Sequence, residues 1–222
     1  GTANRNMHST PWHTLLRLLS QEYDDGRRRE LEELGGGGNN SDIDSIVGYC
    51  PNLKRLTFLH DGGSKFLTPS IGKLAALRSL NLYECGRLTS VPETIGNLTT
   101  LTHLDISFCD SLASLQESIG NLTTLKQIDL GECIYLRSLP ESIGNLIALT
   151  DLDLGNCSWL NSLPESIGGL IALEKLFLNN CFSLTSLPDS IGNLASLEFF
   201  ELSMCLSLTS LPESIGNLTA LE

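Results

Sequence analysis

Hydrophobic residues recur along most of this chain with a fixed period of 24 residues. Leucine or isoleucine recurs at positions 1, 4, 6, 12, 15, 19 and 22, and in one unit these are Leu149, Leu152, Leu154, Leu160, Leu163, Ile167 and Leu170. Seven complete units follow one another without insertion over residues 53–220. A fixed period of this length indicates a solenoid, in which one supersecondary unit stacks on copies of itself.

Within each unit, the spacing predicts a short strand, a turn and a short helix. Residues 152–154 (Leu-Asp-Leu) show the period-2 alternation of a strand with one face inward. Pro164 suits the first position of a helical turn, and Glu165 suits the positive end of its dipole. Gly168 permits a left-handed residue that ends the turn. We therefore predict an α/β solenoid with a parallel sheet on its concave face and short helical or 3₁₀ segments on its convex face.

Position 9 of the unit carries cysteine instead of an aliphatic residue. The six periodic cysteines are Cys85, Cys109, Cys133, Cys157, Cys181 and Cys205, and Cys50 stands alone. A cysteine fixed to one turn position acts as a small hydrophobe with a weak S–H donor, so we predict a structural ladder of free thiols. No histidine or carboxylate lies there to complete a tetrahedral metal shell. Free thiols indicate a reducing compartment, so we expect an intracellular, cytoplasmic protein.

Residues 1–52 do not follow the period. Ser9-Thr10-Pro11 predicts the start of a helix, and a charged stretch over 27–34 predicts a second helix that ends at the glycine run 35–38. The glycine run predicts a linker. Residues 41–49 predict the helix of an atypical first unit, which covers the exposed edge of the repeat core.

The break in the period divides the chain into two predicted parts. Residues 1–40 form an N-terminal helical extension with a glycine-rich linker, and residues 41–222 form the repeat domain. The repeat domain comprises an atypical first unit at 41–52, seven 24-residue units at 53–220 and the start of an eighth. Because the eighth unit stops at Glu222, we expect either a fragment of a longer protein or a last unit without cover.

The charge of the chain is acidic and unevenly distributed. The formal net charge is −12; residues 53–100 carry six basic and three acidic groups, whereas residues 101–222 carry three basic and fifteen acidic groups. Nucleic acids and anionic membranes both require clustered lysine and arginine. We therefore expect a protein or peptide partner that is basic or neutral, and neither a nucleic acid nor a membrane.

The repeated residues resemble the leucine-rich repeat family, whose unit reads L-x-x-L-x-L-x-x-N/C-x-L. One copy is formed by Leu101, Leu104, Ile106, Cys109 and Leu112, and the five other cysteine-bearing units fill the same positions. The unit that begins at Leu53 departs from the pattern, with Asp61 in place of cysteine and Ser64 at position 12. The resemblance covers residues 53–220 and implies a right-handed solenoid.

Within this family, the stretch LxSLPESIGNL after an Asp-Leu-x-x-Cys strand is similar to repeats of plant intracellular immune receptors, the nucleotide-binding proteins with a Toll-type N-terminus. Plant receptor-kinase ectodomains place Gly and Ile before the proline, where this chain has Ser162 and Leu163, and they prefer Asn to Cys. The resemblance implies a role in plant defence and innate immunity. No GxxxxGK[ST] motif occurs in this sequence, so a free-standing plant intracellular repeat protein, or a moss or algal relative, stays an open alternative.

The strand positions that face away from the core supply the candidate binding residues. Three aspartates follow one another at position 5, either as an acidic stripe for a partner bearing Lys or Arg, or as a repeat consensus residue on a wet face. Outward aromatic rings favour partner contact because binding hot spots favour large rings, although rings at the turn also cover the ends of the core. The candidate concave-face residues are Asp105, Phe108, Asp129, Asp153, Phe177, Phe199 and Glu201.

No feature of the sequence predicts catalysis or a cofactor. The histidines show no metal-ligand spacing, and no nucleophile elbow or phosphate loop occurs. The uninterrupted period also leaves no insertion that would hold an active site. We predict a non-enzymatic protein without cofactor or metal.

Three functional hypotheses follow from these patterns. The first is a recognition module that binds a protein or peptide on the concave sheet, as the sensing segment of an immune receptor. The second is a structural scaffold that uses its repeat edges and N-terminal extension in an assembly. The third is a secreted receptor ectodomain, which would carry a glycan on Asn121 in its Asn-Leu-Thr sequence.

Overall fold

The computed structural model describes residues 33–36, 44, 46–48, 50–58 and 65–221. These residues form one open sheet of eight parallel strands in chain order. A 3₁₀ segment follows each strand of the seven repeat units, so every unit contributes one strand and one short helical segment. The predicted α/β solenoid is confirmed.

The elements alternate regularly. The strands are β1 (Glu33–Gly36), β2 (Arg55–Phe58), β3 (Ser79–Asn81), β4 (His103–Asp105), β5 (Gln127–Asp129), β6 (Asp151–Asp153), β7 (Lys175–Phe177) and β8 (Phe199–Glu201). The 3₁₀ segments are η1 (Pro69–Lys73), η2 (Glu93–Asn97), η3 (Glu117–Asn121), η4 (Glu141–Asn145), η5 (Glu165–Gly169), η6 (Asp189–Asn193) and η7 (Glu213–Asn217).

The repeat strands pair without any slip in register. Leu56 lies opposite Leu80, and Leu80 lies opposite Leu104, so residues 24 positions apart are neighbours throughout β2 to β8. Each inward position therefore forms a continuous aliphatic row along the solenoid. Because side chains alternate across a strand, positions 3 and 5 point to the opposite side. We call the surface formed by these side chains on β2 to β8 the strand face.

The core consists of these aliphatic rows. Between residues 77 and 196, the side chains at positions 1, 4, 6, 12, 15, 19 and 22 are at most 6% exposed. In the unit 197–220, whose far side faces solvent, Leu211 is 50% exposed, although its equivalent Leu187 is 6% exposed. Burial of one unit thus depends on the unit stacked against it, as expected for a solenoid.

The cysteine rows combine burial with a regular hydrogen bond. The thiol of Cys157 donates to the carbonyl of Leu130 in the preceding unit at 3.2 Å, and that carbonyl also accepts the N–H of Cys133. Cys181 makes the same contact with Leu154. All seven cysteines are unbridged. The position therefore suits a residue that is small, apolar and able to donate one hydrogen bond.

The 3₁₀ segments differ in two details from the prediction. Pro164 has an extended conformation (φ −71°, ψ 153°) and precedes η5, so the segment begins one residue later than predicted. Gly168 lies outside the left-handed region, and the segment ends at Gly169, followed by the capping residue Leu170 with φ −79° and ψ 62°. The glycine is needed for space, because a Cβ on Gly168 would lie 2.6 Å from the carbonyl oxygen of Ser190 in the next unit.

Left-handed residues occur after the strands rather than after the 3₁₀ segments. Position 8 has a φ between 58° and 62° in six consecutive units, where the residues are Glu84, Phe108, Glu132, Asn156, Asn180 and Met204. This conformation turns the backbone sharply and places the next residue, the cysteine, inside. The sequence prediction placed the turn correctly but missed its left-handed residue, because only the two asparagines are typical of that conformation.

The N-terminal boundary also differs from the prediction. Residues 33–36 form β1, which pairs in parallel with β2, whereas the sequence predicted a helix end and a linker there. The free edge of β2 offers backbone hydrogen bonds that override local propensity, so the sheet begins before residue 41. Asp44 and residues 46–48 are helical, and Ile46 is buried against the core. The predicted helix from Ser9, together with Asp61 and Ser64, lies outside the described residues.

The close approach of neighbouring 3₁₀ segments generates a stability prediction with an internal control. A Cβ on Gly120 would lie 2.5 Å from the carbonyl oxygen and 2.6 Å from the Cβ of Ser142, so Gly120→Ala forces two units apart. We expect the free energy of unfolding in urea to fall by about 1–3 kcal/mol. Gly216 has no atom within 4 Å of the corresponding point, so Gly216→Ala should change stability by less than about 0.5 kcal/mol. Equal losses in the two variants would contradict this packing.

The buried thiols predict an alkaline loss of stability. Burial raises the pKa of Cys133 from 9.0 to about 12, and it raises the pKa of Cys181 to the same value. Below pH 9 these thiols are protonated in both the folded and the unfolded chain. Between about pH 9 and 12 only the unfolded chain ionises them, so the free energy of unfolding should fall by up to about 1.4 kcal/mol per thiol and pH unit. Urea titrations of Cys133→Ala should show a shallower fall; an unchanged slope would contradict the assignment.

The incomplete cover of the last unit predicts the order of thiol modification. Cys205 is partly exposed, whereas Cys109, Cys133, Cys157 and Cys181 are fully buried. In the folded protein at pH 8, we expect a thiol reagent such as dithionitrobenzoate to modify Cys205 before these four. Peptide mapping after partial labelling measures the order, and Cys205→Ser should remove the fast phase. Simultaneous modification of all the thiols in folded protein would be inconsistent with the buried ladder.

Candidate functional site

The strand face contains a continuous open groove. It has a volume of about 390 Å³ and extends from β3 to β7. Four aspartates line it: Asp105, Asp129, Asp151 and Asp153. No lysine or arginine belongs to the groove lining among the described residues. The groove is therefore an acidic surface in the middle of the sheet.

The aspartates at position 5 also have a structural role. Asp129 accepts a hydrogen bond from the backbone N–H of Gly131 through Oδ1 at 2.9 Å, and Asp153 accepts one from Gly155 at 2.8 Å. Asn81, at the same position of β3, accepts the N–H of Tyr83 through Oδ1 at 2.9 Å. These Asx-type bonds close the turn that follows each strand. The recurrence of aspartate at position 5 as a repeat consensus residue thus has a physical reason, namely this turn hydrogen bond.

Only one oxygen of each of these aspartates is used in the turn. In Asp105, Oδ1 accepts hydrogen bonds from the backbone N–H and the hydroxyl of Ser107, and Oδ2 accepts one from the side-chain amide of Asn81 at 2.8 Å. By contrast, Oδ2 of Asp129 and Oδ2 of Asp153 accept no hydrogen bond from any described residue. These two oxygens are available to a donor from solution.

Burial and neighbouring charge set the protonation of the aspartates. Burial raises the pKa of Asp129, and the charges of Asp153 and Asp105 raise it further, against the opposing effect of the Gly131 N–H. Burial likewise raises the pKa of Asp153. A cation bound beside these two carboxylates would relieve both the desolvation and the repulsion.

Asp151 differs from the position-5 aspartates. Burial alone would raise its pKa, but hydrogen bonds from Thr150 and Lys175 and the charge of Lys175 lower it overall. The Lys175 ammonium lies 3.1 Å from Asp151 Oδ1. Asp151 is therefore already paired within the chain, and Lys175 marks the end of the acidic part of the strand face.

Two glycines stand in the turns that follow the unpaired carboxylates, where there is little room for a side chain. Gly131 and Gly155 occupy position 7, where the unit of β4 has Ser107. A methyl group built on Gly131 would lie 3.2 Å from Asp129 Oδ1 and 3.5 Å from Asp153 Oδ1. At Gly155 the side chain of Asn179 lies 2.8 Å from the corresponding point, so position 7 is crowded in both units and a larger side chain there would displace its neighbours.

An aromatic pair borders the groove at the β7 end of the strand face. The rings of Phe177 and Phe199 have their centres 5.1 Å apart, and Phe199 is 45% exposed. Glu201, on β8, accepts the N–H of Ser203, and hydrogen bonds from Ser203 lower its pKa. The structure therefore places Phe177, Phe199 and the position-5 acids together on the strand face.

Phe108 lies elsewhere than predicted. It follows β4, has a left-handed conformation with a φ of 58°, and contacts Tyr83 with ring centres 5.2 Å apart. It therefore belongs to the turn and not to the concave strand face. The prediction counted position 8 with the outward strand positions, although the strand ends at Asp105 and Phe108 lies three residues later.

A second aromatic group lies on the turn side of the solenoid. Tyr135 and Trp159 have ring centres 5.7 Å apart, and the guanidinium carbon of Arg137 lies 5.5 Å from the Trp159 ring centre. Phe182 is exposed in the same row of turns. These rings contact one another and an arginine, an arrangement that covers the end of the core.

The sequence prediction missed the position-3 residues of the groove. His103, Gln127 and Asp151 line it beside the predicted aspartates. Their signal was present, because position 3 has the same outward direction as position 5. Among the residues at position 3, the sequence analysis chose only Phe199 as a candidate binding residue, because of its large ring.

Neither a metal cluster nor a membrane span occurs in the described part of the chain. The described residues contain no group of three or more His, Cys, Asp or Glu side chains that could hold a metal ion. None of the helices in the described part of the chain is long and apolar enough to cross a bilayer. The strand face is equipped for binding through charge and apolar contact.

Comparison with solved structures shows where this fold occurs. The leucine-rich repeat domain of the type III effector XopL matches with a TM-score of 0.59 and 22% identity, over 97% of this chain and 88% of that chain. Toll, in the Toll–Spatzle complex of Drosophila, matches with a TM-score of 0.57 and 20% identity, over 97% of this chain and 31% of that chain. At these identities the likeness concerns the fold alone.

A third structure, the ectodomain of the Arabidopsis receptor kinase HAESA, matches with a TM-score of 0.47 and 27% identity, over 84% of this chain and 35% of that chain. This chain thus spans about a third of the Toll and HAESA chains. No curated protein matches it.

The family is established by the sequence match. A family model described as a leucine-rich repeat region matches residues 52–159 and 113–222, which together include β2 to β8. This match confirms the predicted resemblance at the level of the family, and it indicates no catalytic family. This chain belongs to the leucine-rich repeat family.

Proposed function

We propose that this chain is a non-enzymatic recognition module that binds a protein or peptide on its strand face. One observation carries the proposal: the groove brings two carboxylate oxygens without partners, on Asp129 and Asp153, next to the exposed aromatic pair of Phe177 and Phe199. Exposed rings and unpaired charges on one surface are typical of binding sites, because a partner can cover the rings with apolar side chains and pair the charges with its own cationic groups.

The charge of the groove supports a basic or neutral partner. Among the described residues, its lining contains four aspartates and no lysine or arginine, and the neighbouring Lys175 is paired with Asp151. A partner with lysine or arginine is attracted to this surface, and an acidic partner is repelled. Toll, which shares this fold, was solved as a complex with Spatzle. That complex is consistent with a binding role for the fold.

We further propose that the protein acts inside the cell, in the cytoplasm, as the sensing segment of a plant immune receptor. The repeat style LxSLPESIGNL with cysteine at position 9 supports this branch of the family. The unbridged, buried thiols are consistent with a reducing compartment.

A scaffold role is the second candidate, and one observation favours it. In the unit 197–220, Met204, Leu206 and Leu211 are 50–71% exposed. Together they form an apolar edge that a further repeat unit or another subunit would cover. A scaffold would bind through this edge, whereas a recognition module would bind through the strand face.

Selection of peptide ligands tests the proposed function. We expect a displayed random-peptide library to yield ligands that the double variant Asp129→Asn/Asp153→Asn binds about tenfold more weakly, the equivalent of two partly buried charge pairs. Asparagine preserves the turn, because Asn81 already makes the same backbone hydrogen bond in its own unit.

The control variant removes equal charge from the opposite side of the solenoid. Glu141 and Asp189 are exposed at the starts of η4 and η6, so Glu141→Gln/Asp189→Asn should leave affinity unchanged. Equal losses in the two double variants, or ligands that respond only to Leu206→Ser/Leu211→Ser at the apolar edge, would contradict recognition by the strand face. The second result would favour the scaffold.

A further inference from the structure

We infer that the bound segment has a polyproline II conformation and presents a basic side chain and a large apolar side chain three residues apart. This inference rests on the proposed function, because it describes the ligand of the same strand face. It is derived from the spacing of two subsites on the sheet and from the kind of contact that a sheet face offers.

The acidic subsite lies over β5 and β6. Oδ2 of Asp129 and Oδ2 of Asp153 are without partners among the described residues, and the two aspartates lie opposite each other on the neighbouring strands β5 and β6. A lysine or arginine head group fits there, because it supplies several donors and compensates two negative charges. The neighbouring carboxylates are less suited to bind this head group, because Asp105 already accepts a hydrogen bond from Asn81 and Asp151 already pairs with Lys175.

The apolar subsite lies over β7 and β8. Phe177 stands at position 5 of β7, and Phe199 stands at position 3 of β8. Their rings are in contact, and almost half of the Phe199 side chain remains exposed. An aromatic or large aliphatic side chain of a ligand would cover this ring pair.

The distance between the two subsites sets the ligand spacing. The first subsite is centred between β5 and β6, and the second is centred between β7 and β8. The distance between these centres is two strand spacings, or about 10 Å at about 4.8 Å each. Three residues of an extended chain span this distance at about 3.1–3.3 Å per residue. In a β-strand, however, side chains three residues apart point to opposite sides. In polyproline II, with three residues per turn, they return to the same side.

The nature of the surface favours the same conformation. Between β2 and β8 the backbone groups of the strands are used in strand pairing, so the face offers a ligand side chains and no free strand edge. A segment bound there gains no β-type backbone hydrogen bonds. Polyproline II needs none, because its backbone remains solvated and its order is partly fixed before binding.

Short synthetic peptides test this spacing directly. The probes are fluorescein-labelled nine-residue peptides with one arginine and one phenylalanine in either order, separated by one, two or three alanines, and measured by fluorescence anisotropy. We expect two intervening residues to give the tightest binding in at least one order, by about fivefold over the other spacings. Replacing the two intervening alanines by prolines should tighten binding about threefold further, because proline fixes the conformation in advance.

Variants of the protein assign each end of the peptide. Asp129→Asn/Asp153→Asn should weaken the arginine peptide but not a peptide with alanine in place of arginine. Phe199→Ala should weaken the phenylalanine peptide, while Phe182→Ala, a ring of similar exposure on the turn side, should not. This pattern places the basic and apolar residues at the two subsites.

Three results would overturn the inference. Equal affinity at all spacings would remove the two-subsite geometry, and weaker binding on introduction of proline would indicate a helical or β-stranded ligand. In both cases the proposed function stands if ligands remain sensitive to Asp129→Asn/Asp153→Asn. Peptides that bind no better than a scrambled acidic control refute the inference, and the displayed-library selection then decides the proposed function independently.

Discussion

The structure depends on in-register stacking of units that bury one another. A strand of three residues has no stability alone, and the aliphatic rows are dry only where a neighbouring unit covers them, as the contrast between Leu187 and Leu211 shows. The parallel pairing of residues 24 positions apart fixes every other feature. It aligns the cysteine thiols with carbonyls of the preceding unit, brings each 3₁₀ glycine against the next unit, and collects the outward side chains on one face.

The repeat also explains why some small residues recur. At the cysteine position, a donor must reach a carbonyl inside a turn that has no room for a longer side chain. At the glycine position of the 3₁₀ segment, the backbone of the following unit occupies the volume that a Cβ would take. Both are constraints between units, so they act equally on every interior copy. Their periodicity in sequence reflects a spatial period.

The sequence was sufficient for the period, the strands, the inward rows and the buried thiols, because all of these follow from hydrophobic spacing. It was insufficient where tertiary contacts decide the backbone. The run of glycines at 35–38 has no strand propensity, yet Gly35 and Gly36 pair with the edge of β2. A glycine at position 168 could serve either a left-handed turn or a close contact between units. Only the position of Ser190 in the next unit shows that the close contact is the reason. Phe108 was assigned to the strand face because position 8 was counted as part of the strand, which ends at Asp105. At the site, the aspartates were identifiable by position, but which of their oxygens is available required the side-chain hydrogen bonds.

The two outward columns of the strand face are subject to different restraints. Position 5 holds an acceptor in most units, since Asn81, Asp129 and Asp153 close the following turn. Position 3 has no such duty, and its occupants range from His103 and Gln127 to Lys175 and Phe199. The protein can therefore change what it recognises by altering one column, at little cost to folding, while the other column maintains the scaffold. At Asp129 and Asp153, by contrast, the turn and the proposed ligand use different oxygens of the same side chain, so asparagine is a replacement that retains the turn while removing the charge.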